Sequence, residues 1–272
     1  MKKITLLSVI LLTLTAAAAL AQGGIDLVWN DHLGYGNGGV VTEWACWSDF
    51  GQVGGPPAPP TTDYNSPCDA DGEFVGMMCS FKLNADMPDF FGITAILDGS
   101  IEATTLPLWW EMWNAGSCRP NGLTADADFT ALRAYKKGCL DPYSGLAYGM
   151  VIAYQSPTFP VPPVVKSSLA GPNTFRTKVA WVLVGPVSLL ASNEYYATGL
   201  ALTFENTLSG CPGCSTPGRI TLNEILVDGI EPPSQRLTNA LHNQTIGWHG
   251  GEAAGPTPAQ NSTWGQVKSL YR

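Results

Sequence analysis

Apolar positions along the chain gather in short strand-like runs, and in one of them they recur with a period of two, the spacing that puts alternate side chains on one face of a pleated strand. In Phe74–Leu83 (FVGMMCSFKL), Val75, Met77, Cys79 and Phe81 share a face. The opposite face carries Gly76 and Ser80 but also Phe74 and Met78, so it is mixed rather than polar. Six further runs are rich in β-branched and aromatic residues: Gly24–Asn30, Ile93–Ile101, Leu146–Gln155, Phe175–Val184, Tyr195–Phe204 and Ile220–Val227. Turn formers separate them, which predicts strands joined by short connections. Val179–Ala191 is broken by Gly185-Pro186 and predicts a buried strand followed by a turn. Many such strands predict an all-β fold, an antiparallel β-sandwich of jelly-roll or Ig-like type, spanning residues 22–250.

Helical spacing is scarce. Asp126–Lys137 places acidic residues first and lysines last, with Gly138 after, the charge order a helix dipole prefers. The same segment is equally readable as a looped excursion. In the tail, Trp264, Val267, Leu270 and Tyr271 recur at helical spacing. So short a helix does not hold alone in water, so residues 251–272 form a linker and a helical or extended tail that must dock or fray. Gly51–Pro67, Ser156–Pro163 and Gly250–Ser262 are Gly/Pro-rich and predict loops or extended arms.

The first residues change the picture. Lys2 and Lys3 precede an apolar run from Ile4 to Leu20, and Ala19-Leu20-Ala21 is a small-x-small cleavage pattern. Residues 1–21 therefore read as a signal peptide, with Gln22 as the mature terminus. Export predicts disulfides among the seven cysteines, Cys46, Cys68, Cys79, Cys118, Cys139, Cys211 and Cys214. Closeness in sequence predicts Cys118–Cys139, with a different partner for each as the alternative. The turn context of the C-x-x-C predicts a Cys211–Cys214 staple, and Cys46 and Cys68, which flank the Pro-rich loop, are read as stapling its base. Cys79, on the apolar face of its strand, is left as the free thiol; its pairing with Cys46 or Cys68 is the competing arrangement. Charged residues make up 13% of the chain against roughly 25% in an average globular protein, which favours a layered β core. Net charge is −8, and loss of Lys2 and Lys3 takes it to −10. That balance argues against nucleic-acid partners and, after signal cleavage, against a membrane partner.

Candidate chemistry is sparse. Cys211-Pro212-Gly213-Cys214 is a C-x-x-C, but Pro217, Gly218 and a strand follow where a redox motif requires a helix. A zinc site at that motif needs two more ligands, and the His242 and His249 spacing misses the usual pattern. Gly34–Gly39 matches G-x-G-x-x-G but runs into Val40-Val41-Thr42-Glu43-Trp44, a strand-like stretch, so it reads as a turn. Asp69, Asp71 and Glu73 resemble part of a calcium loop, without the ligands that close one, so no cofactor is expected beyond a weak calcium reading. Trp109, Trp110 and Trp113 offer indole faces that stack on sugars if exposed, or fill the core if not. Glu102, Glu111, Glu205 and Glu224 are possible glycosidase carboxylates, but nothing selects a pair.

Four fragments together, LPLWWEMWNAGSCR (Leu106–Arg119), CLDPYSG (Cys139–Gly145), GCPGCSTP (Gly210–Pro217) and TWGQVKSLYR (Thr263–Arg272), resemble a group of uncharacterised exported β-rich proteins of environmental bacteria. The resemblance implies export and a shared architecture, and no activity. The chain departs from that group at His32, where the group carries a cysteine. The expectation is a secreted protein, in the periplasm, at the cell surface or outside the cell, that is non-catalytic and structural or binding, with a carbohydrate or protein partner. The alternatives are a carbohydrate-binding module or jelly-roll glycoside hydrolase, and a subunit of an extracellular assembly that docks through its C-terminal tail.

Overall fold

A computed structural model of the chain describes residues 22–251, apart from residues 31–34, 37–39, 42–43, 53–59, 70, 72–73, 113–115, 130–136, 145–146, 158–170 and 232. The signal-peptide reading of residues 1–21 and the tail motif therefore lie outside the described residues. The strands in chain order are β1 (Gly24–Trp29), β2 (Tyr35–Gly36), β3 (Val40–Val41), β4 (Asp63–Tyr64), β5 (Phe74–Lys82), β6 (Met87–Ile101) and β7 (Leu123–Asp126). They continue with β8 (Cys139–Leu140), β9 (Ala147–Gln155), β10 (Thr174–Leu189), β11 (Glu194–Thr203), β12 (Gly218–Gly229), β13 (Gln235–Leu237) and β14 (Thr245–Trp248). The fold is all-β, and all seven strand-like runs of the sequence are strands.

Two sheets form the body. The smaller runs β1-β5-β11-β7 with β8 beside β11, and the larger runs β4-β14-β12-β6-β10-β9 with β13 beside β12. Among the described strands the long pairs are antiparallel, and the short β8 and β4 contacts are parallel. β2 and β3 pair separately. Between the sheets, Met77, Leu200 and Leu202 of the smaller meet Leu97, Phe175 and Ile220 of the larger, and Phe81 packs on Phe90. Inward positions of β6 alternate cleanly: Ile93, Ala95, Leu97, Gly99 and Ile101 are buried, with partly exposed residues between them.

The mixed face of β5 has a structural reason. Both faces of the smaller sheet are buried, and Trp44 and Phe129 cover its outer side. Trp44 lies on Gly199, where a Cβ would come within 2.5 Å of the indole ring. Phe129 stacks on Tyr196 of the same outer face, at 4.9 Å between centroids.

Two elements differ from expectation. The Gly185-Pro186 step does not turn the chain; β10 continues to Leu189. Its pairing with β9 ends at Leu183, and its register on β6 jumps between Val182 and Val187. Pro186 sits in that irregular gap, where a residue with no N–H is not asked to bond. Nor does a helix begin at Asp126, which ends β7 against β11; Ala127–Phe129 is irregular and the rest of that segment lies outside the described residues.

The cysteine set is as expected but the pairing is not. The bonds are Cys46–Cys139, Cys68–Cys214 and Cys118–Cys211, separated by 93, 146 and 93 residues, and Cys79 is the buried free thiol. None of the three local pairs forms. Gly213 turns the chain with φ +111°, so Cys211 and Cys214 face different neighbours. β8 carries Cys139 to the edge of β11, where it meets the segment that holds Cys46. Burial raises the Cys79 thiol far above its ordinary pKa, which keeps it protonated and inert.

Candidate functional site

Among the described residues, a group of ionisable side chains gathers on the covered outer face of the smaller sheet. Asp26 of β1 stands opposite Ser80 of β5, and Glu194 stands at the start of β11 one step along. Asp26 is fully buried within an otherwise apolar strand. One of its oxygens accepts the backbone N–H groups of His242 and Asn243, at 2.6 and 2.8 Å; the other pairs with His242 Nδ1 at 2.8 Å. Trp47 stacks on the His242 ring, nearly coplanar at 5.5 Å between centroids.

Glu194 is buried beside this pair. Ser80 donates to one of its oxygens at 2.6 Å and Ser48 donates to the other. Burial first, and the neighbouring Asp26 charge second, push its carboxyl pKa up to about 7, against the lowering effect of the two serine hydroxyls and His242. The hydrogen bond to Asp26 raises the pKa of His242, opposed by partial burial and by Lys82. Asp49, also fully buried, accepts from the Cys46 N–H at 3.0 Å, the Tyr196 hydroxyl at 2.5 Å, and the N–H groups of Lys137 and Gly138 at 2.9 and 2.8 Å. It binds the turn around Cys46 to the segment entering Cys139, beside their disulfide.

Chemically, this cluster ties segments together through buried carboxylates. Both serines donate to the same carboxylate, so neither is set up as a nucleophile against the histidine. The Cys46 and Cys139 sulfurs and the Glu194 carboxylate lie within 4.8 Å of one another, but sulfurs joined as a disulfide are poor metal ligands.

The residues singled out in the sequence lie elsewhere. Trp109 and Trp110 are fully buried, in a 3-10 turn (Leu108–Trp110) rather than a strand. Trp109 is sandwiched between Trp248, stacked at 5.3 Å, and the Arg119 guanidinium, 3.6 Å from its centroid. Trp110 stacks on Phe175 at 5.6 Å. Neither ring has a face open to a sugar, which corrects the carbohydrate reading for these two; Trp113 lies outside the described residues. Asp69 and Asp71 are exposed, Asp71 accepts the Leu208 N–H at 2.9 Å, and Glu73 lies outside the described residues. Asp69 and Asp71 join no three-donor group among the described residues. The glutamates do not converge either: Glu111 accepts from Ser156, Glu205 from Asn121, and Glu224 pairs with Arg236.

Asp26, Ser48, Asp49 and Glu194 were not singled out in the sequence, Ser80 was noted only as a polar strand position, and His242 was weighed only as a zinc ligand. One signal was present. Asp26 interrupts GIDLVW, and a carboxylate in an apolar strand must find partners. Among the described residues, no helix is long and apolar enough to cross a membrane. A scan against protein-family models finds no match, and a search of curated proteins finds none.

Proposed function

We propose that the protein is exported, is cleaved after Ala21, and serves outside the cytosol as a non-catalytic β-sandwich with a structural or binding role toward a surface protein or glycan. The observation that carries this reading is the set of three long-range disulfides, which persist only where thiols are not kept reduced. Two further features support it. The oxygens of Asp26, Asp49 and Glu194 all accept hydrogen bonds from the chain itself, which suits cross-linking better than turnover. The acidic net charge suits a protein partner or neutral glycan better than nucleic acid.

The test is the state of the native protein. Material recovered from the cell envelope or medium should begin at Gln22, and unreduced peptides should show Cys46–Cys139, Cys68–Cys214 and Cys118–Cys211. Recovery from the cytosol with residues 1–21 attached and every thiol reduced overturns the proposal. A turnover screen against glycosides that finds hydrolysis abolished by a single carboxylate substitution overturns its non-catalytic part.

A further inference from the structure

We propose that Cys68, Cys214 and His249 form a redox-gated site for a thiolate-preferring divalent cation such as Zn²⁺, closed while the disulfide stands and opened by its reduction. The three donor atoms lie within 4.8 Å of one another, and His249 Nε2 is 3.4 Å from the Cys68 sulfur. They come from three separate segments, the loop after β4, the C-P-G-C turn and the turn after β14. Two cysteines and one histidine with a fourth position left to water is a recurrent zinc set.

Each donor segment has holds besides the S–S bond. Ser66 Oγ accepts the Cys68 N–H at 3.1 Å, and the Tyr64 carbonyl accepts the His249 N–H at 2.9 Å. Trp248 Nε1 donates to the Cys214 carbonyl at 2.5 Å, while the Trp248 ring lies edge-on against His249 at 5.2 Å. Asp63 accepts the Gly250 N–H at 3.1 Å and fixes the turn from the far side. While it stands, the Cys118–Cys211 bond also anchors the C-P-G-C turn three residues before Cys214.

A second observation singles out the same place. Cys68 and His249 both adopt left-handed backbone conformations, each with φ of 53°, and only two other described non-glycine residues do so. Such conformations persist where the surroundings over-determine them, and they gather at functional sites. Cys68 and His249 are both partly exposed, which gives reductant and cation a way in. The Cys46–Cys139–Glu194 group differs on each count: its cysteines are fully buried, and both Glu194 oxygens already accept from serines.

Opening the site consumes two electrons. With a phosphine as reductant, phosphorus attacks one sulfur and the S–S bond breaks. Water then supplies the oxygen of the phosphine oxide and the two protons that leave Cys68 and Cys214 as thiols. Binding of the cation displaces those two protons, so uptake is favoured as pH rises.

The experiment uses the mature chain, reduced under native conditions with a phosphine, freed of it, and titrated with Co²⁺ without oxygen. The expected result is a far-UV spectrum that keeps its strand signature. It should be joined by a thiolate-to-cobalt charge-transfer band worth one equivalent more than in the Cys68→Ser/Cys214→Ser variant, and bleached by Zn²⁺. His249→Ala should weaken that equivalent by at least about tenfold, the size lost even when an outer partner of a metal-binding histidine is removed. Cobalt uptake equal to that of the double-serine variant overturns the proposal, and so does uptake indifferent to His249→Ala. Loss of the strand signature on reduction also overturns it, because the donors are required to stay in place without the cross-link.

Discussion

Glu194 and His242 carry opposite charges but push stability in the same direction with pH. A carboxyl raised to about 7 when folded binds its proton more tightly folded than unfolded. The stability it contributes is present below its unfolded pKa and is lost as pH rises through about 7. His242 is likewise raised, so its contribution is present below its unfolded pKa and is lost as pH rises through its folded value. Stability to chemical denaturation should therefore fall between about pH 5 and pH 8, with Glu194 accounting for on the order of 3 kcal/mol. Glu194→Gln should flatten most of that slope, and denaturant midpoints measured at the two pH values check it. An unchanged slope would mean that Glu194 is not the titrating group. Arg119 is the other residue-scale keystone. It is fully buried on Trp109 and donates to the carbonyls of Trp109, Gly122 and Thr203. Arg119→Met fills the volume but orphans those acceptors, and should lower stability by roughly 3 kcal/mol in an equilibrium unfolding curve.

Register decides which glycines the sheets require. Gly99 of β6 stands directly opposite Phe175 of β10, and the Phe175 ring lies over it. A Cβ at Gly99 would fall 2.0 Å from that ring. The ring cannot retreat, because Trp110 and Tyr154 both stack on it, each at 5.6 Å. Gly99→Ala should therefore destabilise by about 2–3 kcal/mol, despite alanine's lower conformational cost. Calorimetry on this variant beside Gly185→Ala checks the reading, since Gly185 has open space around its Cβ direction and should tolerate the change. The sequence marked Ile93–Ile101 of β6 as a strand, and its alternating inward face is a finding of the structure. Its partner was not legible in advance, since periodicity assigns faces and says nothing about which strand lies opposite.

At the scale of the molecule, three cross-links tie segments that the sheets alone leave loosely related. Cys46–Cys139 closes 93 residues and pins the cover of the smaller sheet. In the chain-entropy picture such a loop contributes about 4–5 kcal/mol. Cys46→Ser/Cys139→Ser should lower the melting temperature markedly and raise hydrogen exchange around residues 44–50 and 137–143, as mass spectrometry would show. Exchange spread evenly over both sheets would instead mark the bond as a global staple. By itself the sequence determined the seven longer strand runs, the all-β class, the seven candidate cysteines and the apolar-face position of Cys79, because these follow from local patterning and residue chemistry; apart from β3, the short strands did not show in it. The disulfide partners, the burial of Trp109 and Trp110, the convergence of Asp26, Glu194 and His242, and the meeting of His249 with Cys68 were decided only by tertiary structure. Each depends on distances between segments up to 218 residues apart, as when Trp29 Nε1 reaches the Gly247 carbonyl, and such distances exist only once two sheets have closed on each other.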